Sequence, residues 1–215
     1  MKQRASSPGS ALIATVAAIA AIAAMAVLTV SVANAATSAT APKPLPQFER
    51  VMLMQSPRVV GDLAMSDQDG KRRSLGDLAG APALVFFGFT HCPEICPTTL
   101  QKLAMMKAAQ PKELAGVRVV LISVDGERDT PEVMKAFLKR FSTDFVGLTA
   151  PAAEVRNLAM NFSAPFFKDP PRDGAYLVQH SSRVYALDKQ GRLRAELYDA
   201  SAEATAGIAR ALLAE

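Results

Sequence analysis

The sequence predicts an α/β fold built on a parallel strand pair, and three observations carry that expectation. Residues 83–89 (A-L-V-F-F-G-F) and 117–124 (V-R-V-V-L-I-S-V) are short, nearly continuous apolar runs, the pattern of strands buried on both faces. Between them, residues 98–110 place Leu100, Leu103, Ala104 and Met106 at helical spacing and end at Pro111. Strand, helix and strand over about forty residues form a crossover that sets the two strands parallel.

The other elements fall into place around this unit. Asp67-Gln68-Asp69-Gly70 is a turn signal between short strand-like runs, so the domain opens with a hairpin. Thr130-Pro131-Glu132 starts a second helix, with Thr130 as N-cap and Pro131 at the first helical position, and Val133, Met134, Phe137 and Leu138 share a face. Residues 145–148 read as a strand and 152–160 as a helix. Residues 183–187 and 193–198 flank the turn Asp188-Lys189-Gln190-Gly191 as a hairpin, and Ser201 caps a last helix reaching about Leu213. A βαβ half followed by a ββα half, with a hairpin extension in front, is the order of the thioredoxin-like fold.

The chain of 215 residues is long enough for one domain with a real core. Half of it is hydrophobic and 20% charged, which excludes a disordered or collagen-like chain. The net charge of +4 falls to +2 once Lys2 and Arg4 are set aside, and with no Trp and no cationic cluster, nucleic-acid binding is excluded as a function. Ahead of the domain, residues 11–32 form 22 positions without a charge, enough helix for ~33 Å. Cations lie only on the N-terminal side, which sends the rest of the chain outward across the membrane. Ala33-Asn34-Ala35 then offers a cleavage site. Residues 1–36 are therefore a membrane-targeting leader, either a cleaved signal peptide or a retained anchor. Residues 37–54 are a Pro/Ala-rich tether, and residues 55–215 are the thioredoxin-like domain.

There are two cysteines and two histidines, too few for a disulfide scaffold or a four-Cys zinc site. Cys92 and Cys96 lie in His91-Cys92-Pro93-Glu94-Ile95-Cys96-Pro97, where the first buried strand hands over to its helix. That junction is at the carboxyl edge of the strands, where ligands bind in open α/β sheets. A helix N-terminus favours thiolate, making each sulfur a better nucleophile and a better metal ligand. The pair can close a disulfide or hold one soft ion, above all Cu(I). Two sulfurs leave a copper site incomplete. His91 is adjacent, and orienting the loop by a hydrogen bond is its better role. His180 precedes the 183–187 strand, and in a thioredoxin-like fold the loop entering that strand faces the cysteines.

Gly88 to Leu100 (G-F-T-H-C-P-E-I-C-P-T-T-L), Ile122-Ser123-Val124-Asp125 continuing through Glu127-Arg128-Asp129-Thr130-Pro131, and His180-Ser181 with Tyr185-Ala186-Leu187 together resemble the Sco/SenC family over residues 55–215. The resemblance implies that Cys92, Cys96 and His180 bind one copper ion per chain. It also implies a copper chaperone that loads the binuclear copper site of cytochrome c oxidase subunit II, on the periplasmic side of the cytoplasmic membrane, supplied by another periplasmic copper donor. Asp125, Glu127, Arg128 and Asp129 are candidates for a partner-docking surface, against a solvated loop with a helix-capping acid. The chain departs from the family twice. Gly126 stands where Pro is usual, which is expected to loosen that loop. Gln179 replaces an acidic residue before the His, which removes a charge beside the ligand.

The main rival is a thiol–disulfide oxidoreductase that uses a redox-active Cys92–Cys96 disulfide to reduce the oxidase copper-site cysteines, so a reductase activity is open although the chain is not a classical enzyme. Three residues separate the cysteines here, where dedicated oxidoreductases of this fold usually have two. A peroxiredoxin is disfavoured, because Phe89 and Val85 replace the usual Thr or Ser and Pro. A redox or copper sensor remains a third class. Met52, Met54, Met65, Met105 and Met106 are read as gap fillers and not as thioether ligands.

Overall fold

Residues 43–215 are described by the computed structural model; the leader and the first part of the tether lie outside them. Parallel strands β4 (Ala83–Gly88), β5 (Arg118–Ser123) and β6 (Val146–Thr149) form the centre of an eight-stranded sheet. Every residue of β4 is buried, as expected of a strand covered on both faces. On one side β9 (Val184–Leu187) runs antiparallel to β4, followed by β10 (Arg192–Leu197) and β1 (Val51–Val59). On the other side the hairpin of β2 (Met65–Asp67) and β3 (Arg72–Arg73) continues from β6. Asp67 closes its turn by accepting from the N–H groups of Asp69 and Lys71, both at 2.9 Å.

Four α-helices cover this sheet: α1 (Ile95–Ala109), α2 (Pro131–Leu138), α3 (Ala152–Asn161) and α4 (Ala202–Leu213). Thr130 and Ser201 cap α2 and α4 as their sequences require, accepting from Val133 N at 3.4 Å and Ala204 N at 3.1 Å. Met134 and Leu138 of α2 lie over Gly147 of β6, where an added Cβ would come within 2.9 Å of each. A separate two-stranded sheet, β7 (Phe167–Lys168) with β8 (Val178–Gln179), stands on the excursion between α3 and β9. No helix among the described residues is long and apolar enough to cross a membrane.

Two boundaries differ from the sequence reading. The domain begins before residue 55, because Val51, Met52 and Leu53 pair with β10 and Leu45 is buried. The ring of Phe48 packs where a Cβ on Gly207 of α4 would sit. Pro57 hides this strand in the sequence, and it falls in the stretch between Leu53 and Arg58 where the register breaks, on an edge strand that tolerates it. Helix α1 begins at Ile95, three residues early, so it includes Cys96. Pro97 sits in the first turn, where its missing N–H costs no hydrogen bond.

Candidate metal centre

The cysteine loop follows directly from the end of β4. At Gly88 a Cβ would lie 2.8 Å from the Cys96 sulfur and 2.8 Å from the Phe86 ring, so only glycine lets the thiol rest against the strand. Cys96 is fully buried and its Sγ accepts from Phe89 N–H at 3.5 Å. Half-buried Cys92 precedes the helix, and its Sγ accepts from Cys96 N–H at 3.4 Å, capping one of the free donors of the first turn. Both are free thiols. A hydrogen bond from Cys96 lowers the Cys92 pKa to about 3, against the opposing effect of burial and with help from His180 and the N–H groups of Cys96 and Glu94. The same bond to Cys92, together with burial, pushes Cys96 strongly upward. The pair thus shares one proton, held on Cys96, with the negative charge on the more accessible sulfur.

His180 arrives from the far end of the chain, immediately after β8. Its Nε2 lies 3.4 Å from Cys96 Sγ. Its Nδ1 is 2.9 Å from the carbonyl of Ser181, which can only accept, so Nδ1 carries a hydrogen and Nε2 is the ring nitrogen turned to the sulfurs. Phe86 and Phe89 hold the ring edge-on at 5.8 and 5.6 Å. The two sulfurs and the imidazole nitrogen all lie within 4.8 Å of one another. Two soft sulfurs and one imidazole nitrogen are a donor set suited to copper.

The excursion that carries His180 is held by residues the sequence reading did not single out for this role. Tyr176 donates its hydroxyl hydrogen to Asp125 Oδ1 at 2.7 Å, and its carbonyl accepts from Arg128 Nη1 at 3.1 Å. The Arg128 guanidinium stacks 3.6 Å from the Tyr176 ring and Lys168 Nζ lies 3.8 Å from it. No local pattern marks Tyr176, because its partners are about fifty residues away.

The 125–129 segment is correspondingly not the surface expected of it. Asp125 and Asp129 are buried. Asp129 accepts from Thr90 N–H at 3.0 Å, Thr90 Oγ1 at 2.6 Å and Ser123 Oγ at 2.7 Å, and Asp125 is paired with Arg128 at 2.5 Å. These carboxylates are structural ties; only Glu127, paired with Lys168 at 2.6 Å, is well exposed. Gly126 does not loosen the loop either. A Cβ there would lie 1.9 Å from the Ala150 carbonyl oxygen, so glycine lets the loop close on the β6–α3 connection. Gln179 donates to Asp169 Oδ2 at 2.9 Å, which puts a carboxylate beside that position from the residue just after the facing strand. His91 is half exposed, with Nδ1 3.0 Å from Thr90 Oγ1 and 3.7 Å from Asp129, and stands outside the sulfur group. Met52 and Met105 are exposed while Met65 and Met106 are buried in the core.

The profile of the SCO1/SenC family matches residues 52–213. A SCO2-like protein of Rickettsia felis is 33% identical over 143 residues, covering 66% of this chain and 70% of that protein. A mitochondrial SCO2 homologue of Danio rerio is 37% identical over 150 residues, covering 68% and 52%. Among solved structures, Bradyrhizobium japonicum ScoI with copper bound is 36% identical with a TM-score of 0.64, covering 70% of this chain and 97% of that one. Yeast Sco1 with copper bound is 30% identical with a TM-score of 0.63, covering 70% and 85%.

Proposed function

The chain belongs to the SCO1/SenC family, and on that premise we propose that it is a copper chaperone. It takes one copper ion on Cys92, Cys96 and His180 and delivers it to the binuclear copper site of cytochrome c oxidase subunit II. A solved relative of the same fold is described as a member of a family of cytochrome c oxidase assembly proteins. The charge-free stretch at residues 11–32, with cations only on its N-terminal side within the leader, supports action on the periplasmic side of the membrane. One observation carries the reading: the Nδ1–H of His180 is committed to a carbonyl, which turns Nε2 to the two sulfurs.

The thiol reductase reading draws on the same pair, since Cys92 is a ready thiolate. The low pKa argues against it as the main task. A thiolate held that low stabilises the reduced pair, which makes its disulfide oxidising and the dithiol a poor electron donor to other disulfides. A Cu(II) titration and a thiol-exchange assay on wild type and His180→Ala test the choice. His180→Ala is expected to lower Cu(II) affinity by at least ~10–100-fold while Cu(I) stays on the two sulfurs. Unchanged copper affinity with altered exchange rate would make the oxidoreductase the primary function.

A further inference from the structure

Beside His180 runs a groove made of two cavities. The first, of about 380 Å³, has Leu103, Met106 and Leu197 in its floor and Ile95, the neighbour of Cys96, on its rim. The second, of about 450 Å³, is lined by His180, Phe167 and Arg183. Ser182 and Tyr198 line both, so the two are continuous and one end reaches the metal-binding imidazole. Three large apolar side chains are left in solvent along it: Ile95 at 45%, Phe167 at 61% and Tyr198 at 57% exposure. Exposed apolar groups gathered at one concave place, and not scattered singly, mark an interaction site.

Its charge is one-sided. The lining residues include the cations Arg50, Lys102 and Arg183, but Asp199 is their only carboxylate. Asp199 is shared by two of the cations, Arg50 at 2.8 Å and Lys102 at 3.0 Å. Arg183 is spent on buried Glu196, which also pairs with Arg58. Each carboxylate is therefore outnumbered two to one, and the groove carries a positive excess. An occupant must then present apolar side chains ringed by carboxylates.

We infer that this groove is the docking face for the protein that receives the metal, and that it takes an apolar protrusion with an acidic rim. The inference rests on the chaperone reading, and it moves docking from the 125–129 segment, where Asp125 and Asp129 are buried, to the α1–β10 side. Docking here sets the incoming ligands against His180.

The test is calorimetric and kinetic binding of the copper-loaded full chain to the soluble copper-site domain of oxidase subunit II, with copper transfer followed in the same samples. Lys102→Glu and Tyr198→Ala should each weaken binding about tenfold or more, with Lys102→Glu acting mainly on the association rate and losing its effect at high salt. Copper affinity of both variants should equal wild type, and Val59→Ala, an exposed apolar change paired with Arg192 at the opposite end of β10 from the groove, should bind normally. If wild type binds and transfers copper and both groove variants do so equally well, the docking face is wrong and the chaperone reading stands. If wild type neither binds nor transfers, the reading fails and this proposal falls with it. Binding of the chain to phosphatidylglycerol vesicles through Lys102, with no binding to the subunit II domain, would also overturn it in favour of a lipid surface.

Discussion

Two clusters of ligand-type side chains sit at the same end of the sheet, and their difference shows what makes a metal site. Cys92, Cys96 and His180 bring three donor atoms within 4.8 Å, and so do His91, Asp125 and Asp129. In the second cluster every carboxylate oxygen is already used. Tyr176 OH and Arg128 Nε occupy the two oxygens of Asp125, while Thr90 and Ser123 hydroxyls and the Thr90 N–H occupy those of Asp129. The Arg128 guanidinium already neutralises Asp125. In the first cluster two sulfurs and an imidazole nitrogen converge, and none of the ion pairs among the described residues involves them. Proximity of donors is common; soft donors held only by weak, long contacts to one another and to backbone N–H groups are not. The closed cluster also serves the open one, because Thr90 leads into the cysteine loop and Tyr176 precedes His180.

The strongest way to break this comparison is at the sulfurs. Cys96→Ser should reduce bound Cu(I) from one per chain to none after dialysis, as should oxidation of the pair to a disulfide, while Asp125→Asn keeps one per chain; metal analysis decides it. Loss of copper in Asp125→Asn would show that the closed cluster binds metal. The next largest effect is in thiol reactivity. At pH 5 an ordinary thiol with pKa ~8.5 is ionised to about one part in three thousand. With its pKa lowered to about 3, Cys92 should react with iodoacetamide at a rate nearly flat from pH 8 to pH 5, while Cys96, pushed upward and buried, stays unlabelled. Peptide mapping of the alkylated apo protein measures both.

At the closed cluster, removing an acceptor should affect folding and not ligation. Asp129→Ala leaves three donors unpaired in a buried place and should cost about 3 kcal/mol, read from the denaturant midpoint, with copper stoichiometry kept in the folded fraction. The smallest expected effect is Tyr176→Phe, which removes one hydrogen bond to Asp125 but keeps the ring between Arg128 and Lys168. It should cost about 1 kcal/mol and lower Cu(II) affinity severalfold, with Cu(I) unchanged. Equal losses for both oxidation states would mean that Tyr176 does not act through His180.

Local patterns carried much of this protein. The apolar runs at β4 and β5, the caps Thr130 and Ser201, the Asp67–Gly70 turn and the thiol pair at a strand-to-helix junction are all determined by neighbours within a few residues, because periodicity, capping and turn geometry are short-range effects. The pairing of His180 with the cysteines was legible only by reasoning through the order of elements in the fold. What the tertiary structure alone decided involves partners far apart in the chain. Val51–Val59 is a strand because β10 accepts it, although Pro57 interrupts its pattern. Asp125 and Asp129 read as surface acids and are buried because Tyr176 and Thr90 come from elsewhere to satisfy them. Gly126 is fitted to the carbonyl of Ala150, and Gly88 to the sulfur of Cys96. In each case the deciding energy is the burial or satisfaction of a polar or bulky group by a distant partner, and a linear sequence records the residues without recording that meeting.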